Sequence, residues 1–368
     1  MKILPWAGNS IFPALCETLL VWRKSAPDTR DLPWRDEPTP YHVWISEIML
    51  QQTRAAVVRG YYLRFLDALP SVRDLADVDD DALMKLWQGL GYYSRARNLK
   101  RAAEVIVREH EGQLPNDFDA LLTLPGIGRY TASAISSFAY GQPRPAVDGN
   151  FLRVAARVTA NPIDIAKDAS KRALEAALVP SYPSGRDAGL LNEAFMDLGA
   201  TVCLPNGAPL CHTCPAARLC LAHEYGTEQN YPVKTALKAR RKEKRTILLL
   251  ACGDRIAIRK RPAKGLLAGL WEYPNLDGKL SRRAVRAHLE AEGFGVCTIV
   301  PLPPARHIFS HIEWELTGWA VTVTDTNEPP LMAAEEIEGA PSPLLWVRRE
   351  ELADKYSIPA AFGYFTPQ

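Results

Sequence analysis

The chain has 368 residues, of which 47% are apolar, and its formal net charge at pH 7 is +2. This length and composition exclude a disordered or fibrous protein and allow two or three hydrophobic cores. The longest candidate apolar run, residues 247–252, is far too short to cross a bilayer, and the N-terminus lacks the charged-then-apolar order of a signal peptide, so we expect a soluble cytoplasmic protein with no membrane association.

The first predicted helix covers residues 10–23, where apolar side chains recur at helical spacing. A loop rich in proline and charge follows at residues 31–40 and is too long and rigid to be only a connector. The next helix is predicted over residues 42–59, and it contains one isolated acidic residue, Glu47.

Glu47 is surrounded by apolar residues. Every residue of the segment 43–50 other than Ser46 and Glu47 is apolar. A single helical glutamate usually faces solvent, and that is the simplest interpretation. So much apolar surface is costly to expose, however, which favours partial burial of the carboxyl group. Because burial raises a carboxyl pKa toward neutrality, Glu47 is a candidate general acid.

A glycine-rich loop lies between two further predicted helices, in residues 86–94, and the second of these helices extends through Arg108. Its sequence at residues 89–94 is GLGYYS. Glycines on both sides of Leu90 can present this leucine and Tyr92 on a tight turn, where they could act as a wedge in a stack of bases. The alternative is a buried tyrosine that only fixes the corner.

Residues 121–150 form the segment around which the rest of the chain can be placed. The turn LPGIG, residues 124–128, is followed by a helix from about Tyr130. The amides of Gly126 and Gly128 at a helix N-terminus can hold a phosphate, although most such glycine turns are only turns. Asp148 then follows as the N-cap of the next helix.

Helices are predicted over residues 149–159, 168–178 and 187–199, and a cysteine cluster comes after them. Its four thiols, Cys203, Cys211, Cys214 and Cys220, can hold a structural zinc ion or a four-iron cluster, and their spacing does not separate these possibilities. The remaining cysteines are interpreted as small core residues.

Residues 236–245 are strongly basic and are predicted to be a linker, which could also lie along DNA. Beyond it the pattern changes to strands at residues 246–251, 256–259, 314–322 and 344–347, with one helix over residues 281–292. Residues 246–368 are therefore predicted to form a separate α/β domain.

Several motifs together resemble the adenine DNA glycosylases of the MutY type, a branch of the helix-hairpin-helix superfamily that includes endonuclease III. The motifs are LPWR (32–35), WISEIMLQQT (44–53), GLGYYSR (89–95), VDGN (147–150), the cysteine cluster and FSH (309–311). The resemblance covers nearly the whole chain.

The resemblance implies a mostly α N-terminal part with a glycosylase fold and a [4Fe-4S] cluster, followed by an α/β Nudix-like domain. The helical part is expected at residues 1–235, with a six-helix-barrel module at about 32–148. An iron–sulfur module would comprise the N-terminal helix and residues 149–225. The family usually has six residues between its first two cysteines and this chain has seven, and the loop 204–210 could absorb the extra one.

The resemblance also implies the chemistry. Glu47 would protonate N7 of a flipped adenine, and Asp148 would stabilise the oxocarbenium-like sugar that remains, with Tyr130 and Asn150 orienting these carboxyl groups. Endonuclease III-like enzymes have a lysine at the position of Tyr130, and a phenol cannot form their Schiff base. The chain is thus expected to release the base without cleaving the strand.

Further residues are assigned by the same resemblance, which implies a monomer acting on double-stranded DNA with adenine opposite 8-oxoguanine. The adenine pocket would be lined by Arg30, Trp34, Arg35, Leu50 and Glu193. The residues expected to recognise the lesion are Gln52, Thr53, Leu90, Tyr92, Phe309, Ser310 and His311.

In the C-terminal domain, GLLAGLWEYP (265–274) resembles the entry to a Nudix fold. Two glutamates of the Nudix motif are replaced by Ala287 and Ala291, which removes carboxylates that magnesium needs. We therefore expect a recognition domain without hydrolase activity. The alternatives are an endonuclease III-like enzyme for oxidised pyrimidines, a DNA-binding scaffold without chemistry, and a Nudix hydrolase with a helical appendage.

Overall fold

A computed structural model describes Trp6 and residues 10–25, 30–235, 239–324 and 343–366. The chain folds into two compact units. The first comprises residues 1–77 and 98–236, and the second comprises residues 78–97 and 237–368. No helix in the described ranges has both the length and the apolar character to span a membrane.

The N-terminal part is helical. The helices are α1 (Ile11–Ser25), α2 (Pro40–Leu50), α3 (Ala55–Ala68), α4 (Val72–Asp77), α5 (Asp80–Leu86), α6 (Ser94–Glu109), α7 (Phe118–Thr123), α8 (Arg129–Ala134), α9 (Gly149–Val158), α10 (Asp168–Leu178), α11 (Arg186–Thr201) and α12 (Leu221–Glu224). A π-helical turn, Ile135–Ala139, extends α8.

The predicted helix over residues 42–59 is wrong in its length, because the chain leaves α2 at Gln51 and re-enters a helix at Ala55. Gln52 adopts a left-handed conformation with φ of 56°. Apolar spacing alone continues through this break, so the pattern could not reveal it. The break places Gln52 on an exposed turn, where it lines a cavity of the first unit.

One hydrophobic core of the first unit lies between α1, α9, α10 and α11. Phe151 and Phe195 stack at its centre with ring centroids 4.2 Å apart, and Phe12, Leu15 and Leu174 are fully or almost fully buried around them. This packing fixes α9 against α11, so that Asp148 at the start of α9 and Glu193 on α11 have fixed positions.

The second unit contains a seven-stranded mixed sheet within the described residues. Its strands are β1 (Arg241–Cys252), β2 (Arg255–Lys260), β3 (Trp271–Glu272), β4 (Asn275–Asp277), β5 (Val296–Ile308), β6 (Ile312–Val323) and β7 (Leu345–Arg348), and its helices are α13 (Arg282–Ala291), α14 (Arg349–Lys355) and α15 (Ala360–Gly363). The central order is β3-β2-β1-β6-β5, in which β1 and β6 are parallel.

Strand β1 begins at Arg241, so the basic residues 241–245 of the predicted linker form the first part of a strand paired with β6. Residues 236–238 of that segment lie outside the described ranges. Strand β5 was not predicted, and it contains three prolines, Pro301, Pro303 and Pro304. An edge strand tolerates proline, and the pairing with β6 is irregular between Leu302 and Ala305.

Residues 78–97, which were expected to belong to the helical part, belong to the second unit. Asp81 accepts hydrogen bonds from Lys260 Nζ at 3.1 Å and from Trp271 Nε1 at 3.2 Å. Arg97 donates to the carbonyl of Ala268 at 2.7 Å. These contacts join residues that are far apart in the chain, so no local sequence pattern predicts them.

Candidate active site

Glu47 is buried in the middle of α2. Thr39 caps this helix by accepting a hydrogen bond from the His42 amide, and Pro40 occupies its first turn. The helix is buried on nearly all sides from Tyr41 to Met49, which leaves Glu47 only 5% exposed. The interpretation of Glu47 as a solvated helical glutamate is thus wrong.

Burial raises the pKa of Glu47 to about 7. A hydrogen bond with Tyr130 and the charge of Arg35 oppose this rise, whereas the nearby carboxyl of Asp148 adds to it. Among the described residues, Oε2 of Glu47 has no hydrogen-bond partner. A carboxyl group in this state can carry a proton at neutral pH and donate it into the adjoining cavity.

Asp148 is the N-cap of α9. Its Oδ1 accepts hydrogen bonds from the backbone amides of Asn150 and Phe151 at 2.8 and 2.9 Å, and its Oδ2 accepts one from Asn150 Nδ2 at 2.7 Å. Burial raises its pKa, while these three hydrogen bonds and the charge of Arg153 oppose the rise. The bonds and the helix N-terminus favour the charged form that an electron-poor sugar would need.

Arg153 fixes the other side of Asn150. Its Nη2 donates to Asn150 Oδ1 at 2.8 Å and to the carbonyl of Gly199 at 2.7 Å, and its Nε donates to the carbonyl of Cys203 at 2.8 Å. Asn150 therefore has a single amide orientation, with nitrogen toward Asp148 and oxygen toward Arg153. Sequence reasoning missed Arg153, although its position one helical turn after Asn150 is a usable signal.

Glu47 and Asp148 open into one cavity of about 260 Å³. This is below the roughly 300–1,000 Å³ typical of pockets for drug-sized ligands, and suits one small heterocycle. All four predicted catalytic residues and all five residues predicted for the adenine pocket line it: Arg30, Trp34, Arg35, Glu47, Leu50, Tyr130, Asp148, Asn150 and Glu193. Trp34 is buried and packs edge-on against Tyr62.

An ion network lies along one side of this cavity and contributes Arg30, Arg35 and Glu193 to its lining. Arg23 donates to Glu193 Oε2 at 2.6 Å, and Arg35 binds Asp197 through both terminal nitrogens at 3.0 and 2.9 Å. Arg30 also donates to Asp197, at 2.6 Å. Sequence reasoning missed Arg23 and Asp197, although Asp197 follows Glu193 by four residues and so lies on the same face of α11.

A second, more open cavity of about 690 Å³ adjoins the first and shares Glu47, Tyr130 and Asp148 with it. Gly128 and Gln52 also line it. In the hairpin that leads to α8, Gly126 has a φ of 78°, and a Cβ atom there would lie 2.7 Å from Cβ of Asn98. The hairpin therefore needs glycine at position 126.

In the second unit, Tyr92 and Ser310 are brought together. Their hydroxyl oxygens are 3.0 Å apart, and both residues line a cavity of about 750 Å³ with Leu90, Phe309 and His311. Tyr92 is 44% exposed, so its interpretation as a buried corner residue is wrong, whereas Leu90 is buried. Gln52 and Thr53 belong to the first unit.

Sequence comparisons show the family of the chain. The sequence profile of the HhH-GPD superfamily of base excision DNA repair proteins matches residues 45–180, and that of the NUDIX domain matches residues 246–365. The rat adenine DNA glycosylase is 34% identical over 82% of this chain and 69% of its own length. The chain belongs to the adenine DNA glycosylase family.

Two other relatives agree in sequence or fold. The human adenine DNA glycosylase is 35% identical over 80% of this chain, and this chain spans 62% of the length of that relative. Among solved structures, a thermostable thymine-DNA glycosylase is 30% identical and has a TM-score of 0.51, covering 59% of this chain and 98% of its own. This family member thus combines a helical HhH-GPD fold with a C-terminal Nudix-like domain.

Members of the wider superfamily usually carry a [4Fe-4S] cluster, and four cysteines of this chain offer ligands for one. Cys203, Cys211, Cys214 and Cys220 are free thiols that line one common small cavity. Arg157 Nη1 donates to Cys203 Sγ at 3.2 Å. Four possible sulfur ligands around one cavity, with a cation nearby, fit a [4Fe-4S] cluster.

A different set of ligands also meets at this place. Cys211, His223 and Glu228 have potential ligand atoms within 4.8 Å of one another. His223 Nδ1 and Glu228 Oε1 already share a hydrogen bond of 2.7 Å. The four thiols form the richer set for soft metals, because thiolates bind iron and zinc more strongly than a carboxylate does.

Helix α13 of the Nudix-like unit contains one carboxylate, Glu290, and Glu292 follows as its C-cap residue. Ala287 and Ala291 occupy positions where the Nudix motif has glutamates, Arg286 pairs with Glu290 at 3.4 Å, and His288 pairs with Glu292 at 3.2 Å. The helix thus lacks two of the carboxylates that the Nudix motif offers to magnesium.

Proposed function

We propose that this protein hydrolyses the N-glycosidic bond of adenine paired with 8-oxoguanine, or with guanine, in double-stranded DNA, as a step of base excision repair. The observation that carries the proposal is the pair Glu47 and Asp148. One carboxyl is buried with a pKa of about 7, the other accepts three hydrogen bonds at a helix N-terminus, and both face one base-sized cavity.

The reaction begins with extrusion of adenine, because its glycosidic bond is not accessible within the stacked duplex. The base enters the cavity lined by Trp34, Leu50 and the ion network. Amides of Gly126 and Gly128 hold a neighbouring DNA phosphate and fix the sugar near Asp148.

Glu47 then donates its proton to N7 of adenine, so that the base departs as a neutral leaving group. The C1′–N9 bond breaks, and its electron pair goes to the base. Asp148 stabilises the positive charge that develops on the sugar. Water then attacks C1′ and gives its proton to the ionised Glu47 carboxylate, which restores the acid. Glu47 is the acid because it is buried in apolar surroundings, and Asp148 is the anion because it is hydrogen-bonded.

Tyr130 and Asn150 keep this pair in place. Tyr130 is within hydrogen-bonding reach of Glu47, and Asn150 fixes one oxygen of Asp148. Neither side chain is an amine, so no imine with the sugar forms and the DNA strand remains intact. This disfavours an endonuclease III-like lyase.

In the lesion-recognition part of the proposal, the residues of the second unit that contact the lesion are Tyr92, Leu90, Phe309, Ser310 and His311. Gln52 and Thr53 of the first unit also contact it.

A [4Fe-4S] cluster would be held by the four cysteines and would cross-link residues 203–220 as a structural element. The protein would act as a monomer in the cytoplasm.

The experiment is a single-turnover assay on duplexes that carry adenine opposite 8-oxoguanine, with thymine glycol duplexes in parallel. Free adenine and an intact abasic strand are the expected products. Strand cleavage that borohydride traps as a covalent complex would support the lyase instead. Hydrolysis of nucleoside triphosphates by the full chain, lost on removal of the α13 carboxylates, would support a Nudix hydrolase.

A further inference from the structure

Two carboxylates and three arginines form a layer along one side of the base cavity. Glu193 and Asp197 lie one turn apart on α11, and their side chains are each only 12% exposed. Arg30 and Arg35 come from the segment between α1 and α2 and line the cavity, while Arg23 approaches from α1. The layer carries three positive and two negative charges.

Asp197 holds both arginines of the pocket. Its Oδ1 accepts hydrogen bonds from Arg30 at 2.6 Å and from Arg35 at 2.9 Å, and its Oδ2 accepts one from Arg35 at 3.0 Å. Arg23 Nε lies 3.8 Å from Oδ2. Two of its partners line the base cavity, although Asp197 itself does not.

We infer that Asp197 is a positioning residue for base release, which holds the guanidinium groups of Arg30 and Arg35 against the adenine pocket and compensates their charge. The inference rests on the proposed function. A paired, two-pronged carboxylate fixes both the plane and the position of a guanidinium group, which a single contact cannot do. Without it, Arg30 and Arg35 would repel each other and reorient toward solvent or Glu193.

The charge of this layer also affects the pKa of Glu47. Arg35 favours the ionised form of Glu47, and Asp197 compensates that arginine at short range. The titratable and charged groups that line the first cavity with Glu47 are Tyr130, Asp148, Arg30, Arg35 and Glu193. The second cavity, which Glu47 also lines, adds Arg129, Asp168, Lys171, Arg172 and Glu175. Removing Asp197 leaves one carboxylate against three guanidinium groups in a poorly screened place, so Glu47 would lose its proton at lower pH.

The test compares full-length Asp197→Asn with the full-length wild-type protein. The measured quantity is the single-turnover rate of adenine release from the lesion duplex at saturating enzyme. We expect the rate to fall by about 10-fold to 100-fold, because misplaced pocket groups cost that much. We also expect the alkaline limb of the pH–rate profile to move to lower pH by at least about 0.5 pH units. A merely structural role would lower the amount of active protein without moving this limb.

The matched control is Asp187→Asn. Asp187 lies on the same helix and pairs with Lys24 of α1 at 2.7 Å, but this pair is exposed and outside the cavity. Its loss is expected to change the rate by less than about twofold. A wild-type rate and limb in Asp197→Asn, or equal effects of both variants, would overturn the inference.

A second variant covers the case in which Asp197→Asn does not fold. Asp197→Glu retains the charge but displaces it by one methylene group, so we expect a lower rate with an unchanged alkaline limb. A displaced limb or an unchanged rate would contradict the role of Asp197. If the wild-type protein itself releases no adenine, the proposed function fails, whereas a wild-type-like Asp197 variant of an active enzyme refutes this inference alone.

Discussion

The hydroxyl oxygens of Tyr92 and Ser310 lie 3.0 Å apart although 218 residues separate them in the chain. Tyr92 has a φ of 47°, and Gly91 before it has a φ of 70°. A left-handed tyrosine is strained, and tertiary contacts have to hold it. The hydrogen bond to Ser310 is one such contact, and it joins two predicted lesion-recognition residues.

This contact predicts a loss of selectivity when its hydroxyl groups are removed. In Ser310→Ala and Tyr92→Phe, the ratio of adenine release opposite 8-oxoguanine to release opposite guanine should fall by about 3-fold to 10-fold, the equivalent of one hydrogen bond. The two changes should not add, since each removes the same bond. Thr298→Val is the control, because it removes an exposed hydroxyl pair of 2.9 Å with Thr322 in the same unit.

The pKa of Glu47 predicts how the reaction depends on pH. Since burial raises this pKa to about 7, the single-turnover rate should be highest below about pH 7 and fall about tenfold per pH unit above it. On the acid side the rate should fall once Asp148 becomes protonated, at a pH above the ordinary aspartate value. A rate that stays constant from about pH 6 to about pH 9 would exclude Glu47 as the acid.

The same pKa predicts that burial of Glu47 lowers stability at alkaline pH. Between pH 4.5 and about 7 the folded state binds a proton that the unfolded state has lost, so the free energy of unfolding decreases as pH rises through this window. Glu47→Gln removes that penalty. The variant should release no adenine, yet be more stable than wild type at about pH 8 by roughly 1 to 3 kcal/mol.

Urea unfolding at about pH 4 and about pH 8 measures this effect. The advantage of Glu47→Gln should vanish at the lower pH, where wild-type Glu47 is largely protonated in both states. Glu104→Gln is the control, because Glu104 is exposed on α6. Equal stability of wild type and Glu47→Gln at the higher pH would contradict the burial argument.

Asp148→Asn separates the capping role of this residue from its charge. Asparagine is as good an N-cap as aspartate, so the free energy of unfolding should change by less than about 1 kcal/mol. The rate of adenine release should nevertheless fall by at least about 100-fold, because a preorganised charge opposite the sugar cation is lost. Asp117→Asn, at the N-cap of α7, should leave the rate unchanged.

The cysteine cluster predicts the metal content of the purified protein. We expect iron with a visible absorption band, and loss of both in Cys211→Ser, together with lower stability of residues 203–220 to proteolysis. Cys297→Ser is the control, because Cys297 is exposed on β5 and its interpretation as a small core residue is wrong. Stoichiometric zinc without iron would contradict a [4Fe-4S] cluster.

The sequence by itself determined the features that depend on neighbours along the chain. Apolar spacing placed α1, α9, α10 and α11 to within two residues, and the apolar run around Glu47 predicted the burial that raises its pKa. The position of Asp148 after a proline-rich turn predicted an N-cap, and the structure confirms it. These properties are local, because helix periodicity, capping and nearby burial act over a few residues.

Only the tertiary structure decided the features that join distant segments. It broke the predicted helix at Gln51, formed β5 despite three prolines, and assigned residues 78–97 to the second unit. It also brought Asp197 to Arg30 and Arg35, which are 167 and 162 residues away in the chain. Ion pairs between distant residues and the pairing of an edge strand depend on how whole helices and strands pack. A local sequence pattern does not contain that information.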